Sequence, residues 1–135
     1  FTDDGVGALG RLSRLSSLDL YGCCGVSDSC LEILAQSPGL TGSLRDLNLG
    51  SCHRITDEGV RSLPSFQRLH RLNLLRCSIT GKALLSLCPL KHLRVLAVCS
   101  VVNDIRMVAA VRALKMSVPG LHVEVEAVSK GASQT

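Results

Sequence analysis

The stretch LRDLNLGSCHRITDEGV, residues Leu44 to Val60, sets a thiol, an imidazole and two carboxylates close together. Taken alone, Cys52, His53, Asp57 and Glu58 are the ingredients of a metal site, or of a nucleophile with its base. The leucines in front of them follow a second pattern, Leu-x-x-Leu-x-Leu. Whether the stretch is chemistry or architecture depends on whether its spacing recurs along the chain.

It does recur. Leu15/Leu18/Leu20, Leu44/Leu47/Leu49 and Leu69/Leu72/Leu74 match, Leu93/Leu96/Val98 is a fourth copy, and Val118/Leu121/Val123 is a degraded fifth. The starts lie 24 to 29 residues apart. Three residues beyond each of the first four triplets come Cys23, Cys52, Cys77 and then Val101, so Cys52 belongs to a column.

The second half of the unit also repeats. Phe1-Thr2-Asp3 leads to Val6 and Leu9, Val26-Ser27-Asp28 to Leu31 and Leu34, and Ile55-Thr56-Asp57 to Val60 and Leu63. Ile79-Thr80-Gly81 leads to Leu84 and Leu87, and Val102-Asn103-Asp104 to Met107 and Ala110. Thr2, Ser27, Thr56, Thr80 and Asn103 are residues that accept an orphan N–H at the start of a helix. The Asp that follows four of them suits the positive end of the helix dipole. Each unit therefore predicts a short strand, a tight turn at the cysteine and a capped helix with one apolar stripe. No such unit can bury its apolar face alone, so the units must stack.

Both halves together resemble leucine-rich repeats of the cysteine-containing subtype, as in the substrate-binding domains of F-box proteins. The resemblance covers residues 1–125. It implies an α/β solenoid of horseshoe form, with a parallel sheet on the concave face and helices on the convex one. About five units are expected over residues 1–128, the first and last incomplete or degenerate, followed by a small polar tail at 129–135 expected to be disordered. The chain opens in the helical half of a unit, so preceding repeats or a cap are expected. No F-box segment is visible in the sequence.

Composition narrows the function classes. The chain has 135 residues, 46% of them apolar, enough for one continuous core. Phe1, Tyr21 and Phe66 are its only aromatic residues, which favours layered aliphatic packing. A net charge of +4 without clustered Lys and Arg argues against a nucleic-acid partner. No apolar run of about 18 residues is present, so no membrane span is expected. Seven cysteines within apolar repeats read as reduced thiols in a reducing intracellular compartment, taken as the cytoplasm.

A column of thiols spread along stacked strands offers no point where four zinc ligands converge. The cysteines are therefore expected to fill turns and donate weakly to carbonyls. His53 falls on an exposed turn, and His70, His92 and His122 lack convergent partners. Cys30, in the first turn of a helix, is expected to be buried. No catalytic constellation, cofactor, metal or small-molecule ligand is expected, so the chain is not read as an enzyme.

The residues that alternate with the inward leucines are the candidate partner-binding set. They are Ser17, Asp19 and Tyr21; Asp46 and Asn48, with Gly50; Arg71, Asn73, Leu75 and Arg76; and Val95 and Ala97, with Cys99. Tyr21, Arg71 and Arg76 are the strongest anchors by residue type. The expected function is a protein-interaction scaffold holding another protein on its concave sheet face. The resemblance sharpens this to substrate recognition in an F-box ubiquitin ligase. The alternative is a structural or assembly subunit of a larger complex. Two features stand apart: the Pro/Gly-rich insertion SPGLTGS, residues Ser37 to Ser43, read as a loop, and a long last helix over Asn103 to Val118.

Overall fold

The computed structural model describes residues 5, 8–9, 14–101 and 103–128. Phe1, Thr2, Asp3, Val6, Val102 and the 129–135 tail lie outside the described residues.

Five strands form one parallel sheet in sequential order: β1 (Ser17–Asp19), β2 (Asp46–Asn48), β3 (Arg71–Leu74), β4 (Val95–Val101) and β5 (His122–Val128). Register follows the leucine columns, with Leu18 beside Leu47, Leu72, Leu96 and Val123 in turn. Between the strands run α1 (Asp28–Ala35), α2 (Pro38–Ser43), α3 (Asp57–Val60) with a 3-10 turn (Leu63–Ser65), α4 (Gly81–Ser86) and α5 (Ile105–Ser117). The core lies between one sheet face and these helices. It is almost entirely Leu, Val, Ile and Cys, with Phe66 as its largest fully buried side chain.

Strand length has a side-chain cause. Asp19 Oδ1 accepts from the Tyr21 N–H at 2.9 Å, Asn48 Oδ1 from Gly50 at 3.0 Å, and Asn73 Oδ1 from Leu75 at 2.8 Å. Each of these turns pulls the backbone out of the strand. Gly22, Ser51 and Arg76 follow with φ of +71°, +58° and +60°, the left-handed residues that complete the bend. In β4 the matching positions are Ala97, which has no acceptor, and Ser100, which stays extended. The strand runs on to Val101 and pairs with β5 over seven residues. The left-handed turn is delayed to Asn103, at φ +65°.

The expected repeating horseshoe of leucine-rich repeats is corrected to a single parallel α/β sheet, with five strands and five helices among the described residues. It shares with Rossmann-like α/β folds parallel strands joined by helical crossovers. The units are not equivalent copies: strands grow from three residues to seven, and helices range from four residues in α3 to thirteen in α5. The insertion read as a loop is the helix α2, with Pro38 in its first turn and Leu40 fully buried. The cap of α5 also differs. Asp104, not Asn103, accepts from the Arg106 and Met107 N–H groups at 3.1 and 3.2 Å.

Neighbouring units are fastened by a side-chain ladder of two rungs. Asp28 reaches across to the next helix start, accepting from Thr56 N–H at 2.7 Å and from its hydroxyl at 2.5 Å. Asp57 repeats this on Thr80, at 2.7 and 2.6 Å. Thr56 and Thr80 at once cap their own helices by accepting from Glu58 and Lys82. Where the next acid would stand, Gly81 lets α5 approach: a Cβ there would lie 3.0 Å from the Arg106 carbonyl oxygen and 3.2 Å from the Ala110 Cβ.

Candidate functional site

The cysteine column is architecture. Cys52 donates to the Leu20 carbonyl and Cys77 to the Leu49 carbonyl, each at 3.1 Å, so each buried thiol ties its turn to the preceding unit. Burial pushes the Cys77 thiol up to about 12, with the neighbouring Cys52 thiol adding to it. Burial likewise raises Cys52. A thiol held protonated in this way is a poor nucleophile. His53 is exposed, and Asp57 is committed to Thr80. Among the described residues no three His, Cys, Asp or Glu side chains are placed to share a metal ion.

Most of the candidate partner residues lie along one groove, while Tyr21, Leu75 and Arg76 are not part of its lining. The open sheet face carries a groove of about 390 Å³, lined by Ser17, Asp19, Asp46, Asn48, Arg71, Asn73, Val95, Ala97 and Glu124 among others. Their roles differ. Asp19, Asn48 and Asn73 spend an oxygen on their own turns, so they build the rim as well as line it. Ala97 is buried, and Val95 and Leu75 are half-buried. Ser17 and Arg71 are exposed, and Asp46 is half-buried.

Tyr21 lies over Gly50, where a Cβ would come within 2.7 Å of its ring, and yet is 56% exposed. Arg76 lies outside the groove lining. It bends the chain, its N–H donates to the Cys99 sulfur at 3.2 Å, and its guanidinium sits 3.6 Å from Glu126.

A second surface is not in the candidate set. Along α5, Met107, Ala110 and Leu114 face the core, while Ile105, Val108 and Met116 point outward at 82%, 57% and 80% exposure. Between α4 and α5 opens a cavity of about 610 Å³ that includes Lys82, Leu85, Arg106, Ala109 and Ala113. The signal was present in the sequence as apolar residues lying off the inward stripe of the last helix. A helix apolar on both sides is normally covered on both.

No family model matches the chain. It is similar to two curated proteins named ATP synthase subunit s, mitochondrial. The Mus musculus protein is 33% identical over 72 residues, which is 53% of this chain and 36% of that protein. The Rattus norvegicus protein is 35% identical over the same length and shares. The chain thus spans little more than a third of the length of the curated relatives it matches.

These findings correct three expectations. The resemblance to F-box leucine-rich-repeat proteins is not upheld, because these relatives are named as ATP synthase subunit s. Substrate recognition for a ubiquitin ligase falls with it. The cytoplasmic placement is corrected too, since both relatives are named as mitochondrial proteins. Reduced thiols report a reducing environment and do not specify the compartment. Over about half its length, what this chain resembles is a subunit of a mitochondrial ATP synthase.

Proposed function

We propose that the chain is a non-enzymatic structural part of a larger mitochondrial protein assembly, held there by contacts with another protein. The similarity to ATP synthase subunit s carries this reading. An ATP synthase is accordingly the first assembly to test. The physical chemistry agrees with it. Cys52 and Asp57, two of the reactive-looking groups in the sequence, are spent on fastening units together, as is Asp28, whereas two surfaces are left open, the sheet-face groove and the groove between α4 and α5.

Within this reading the open sheet face is a contact surface, with Tyr21, Asp46 and Arg71 as its reaching side chains and Asp19, Asn48 and Asn73 as its rigid frame. Residues 1–128 act as one domain.

The test is native electrophoresis of mitochondrial extract containing the tagged full chain, followed by mass spectrometry of the band. Migration with a high-mass complex whose subunits are recovered in the same band is expected. Migration at the mass of the free chain alone would overturn the reading. The variant Tyr21→Ala/Arg71→Glu, with unchanged melting, is expected to leave the band. A double variant that stays in the complex would remove the sheet face from the contact.

A further inference from the structure

We propose that the groove between α4 and α5 is a docking site for an acidic amphipathic helix of a partner protein. This rests on the assembly reading for the existence of a partner, but the surface itself is argued from its own chemistry.

The groove is wide enough for side chains, about 610 Å³, and its lining is mostly apolar: Leu85, Ala109 and Ala113. Leu85 stands 51% exposed on α4, although Ala83, Leu84 and Leu87 beside it are fully buried. Nothing in the core needs Leu85. Small residues on α5 and a large one on α4 leave a trough between two helices, the shape that receives ridges of a third helix. The lining runs along α5 from Arg106 to Ala113, about 10 Å, so roughly two turns of a partner would fill it.

Charge selects the kind of helix. Lys82 and Arg106 line the trough and are exposed. The one acid in the lining, Asp57, already accepts two hydrogen bonds from Thr80. A helix with Leu-like residues on one side and Glu or Asp on its flanks would satisfy both the apolar floor and the cationic border.

A second copy of this chain does not fit. A symmetric pairing through this groove would bring Lys82 and Arg106 against the same two cations of the other copy.

The probe is a designed peptide of about three helical turns, with Leu at i, i+3 and i+7 and flanking Glu, measured by fluorescence anisotropy on the full chain. A version with Lys in place of Glu is the control. Saturable binding of the acidic peptide is expected, weakening as salt rises. Lys82→Glu/Arg106→Glu is expected to weaken it at least about tenfold and to gain binding of the Lys peptide. Both positions are exposed, and an unchanged melting curve confirms that the variant folds.

Equal binding of the two peptides, or indifference to the double variant, would overturn the proposal. So would the absence of saturation below about a millimolar. Displacement of the peptide by anionic phospholipid vesicles would likewise overturn it, by assigning the groove to a lipid surface. Because the peptide assay needs no complex, its failure alongside intact comigration on the native gel would sink the groove alone.

Discussion

At the scale of single residues, the chain's most reactive-looking groups hold it together. Asp28 is the sharpest case, since both of its oxygens are spent on Thr56 of the next unit. Asp28→Ala is expected to cost about 1–3 kcal/mol in urea unfolding, the worth of hydrogen bonds to a charged group. A Cβ on Gly59 would run into the Asp28 carboxylate. Gly59→Ala should therefore also destabilise, although Ala is the better helix former by about 1 kcal/mol. The double variant should cost less than the sum, as both break one interaction.

Cys77 gives a pH signature. Its thiol remains protonated in the folded chain up to about 12, against an ordinary 9.0. Between those values the unfolded state binds fewer protons, so stability is full below about pH 9 and falls as pH rises toward 12. Cys77→Val keeps an apolar side chain of similar bulk and is expected to flatten this alkaline decline in a pH series of melting curves. An unchanged slope would show that the thiol is not its source.

At the scale of elements, strand ends are set by one acceptor and one left-handed residue. Asp19, Asn48 and Asn73 bend the chain out of β1, β2 and β3, and Ala97 lets β4 run on. Ser51 sits at φ +58°, where glycine carries no Cβ penalty. Ser51→Gly is expected to raise stability by about 0.5–1 kcal/mol. Ser100→Gly, at the corresponding but extended position of β4, should lower it. A comparison of the two by chemical denaturation checks the assignment.

This is also where the sequence was most and least legible. Strand positions could be read because Leu18, Leu47, Leu72 and Leu96 recur at a near-constant spacing. Strand lengths could not, since Asp19, Asn48 and Asn73 alternate with the inward leucines as binding residues would, and nothing in that alternation marks them as turn formers. Pro38 and Gly39 suggested a loop, but Leu40 buries itself and makes α2 worth forming. Asn103 looked like a cap by type, and Asp104 took the role because the turn had shifted along the chain.

At the scale of the whole molecule, the stack is asymmetric. It has a polar sheet face with a frame of turn-forming side chains, and a last helix that exposes Ile105, Val108 and Met116 on its outer side as well as burying an inner stripe. The sheet-face residues could be collected from period-two alternation alone, because alternation decides which side of a strand a residue occupies. The α4–α5 groove could not, since it depends on how closely Gly81 lets two helices approach. The compartment was not legible, and an assembly subunit stood only as the alternative to a scaffold: reduced thiols and stacked leucines are compatible with several locations and partners.

The central claim is permanent residence in a complex, and the most direct measurement is stoichiometry through purification. Quantitative mass spectrometry of the mitochondrial complex, washed in increasing salt, would give the ratio of this chain to the other subunits. The account predicts a fixed ratio that persists until the complex itself comes apart. A ratio that falls steadily with each wash while the complex stays intact would contradict it.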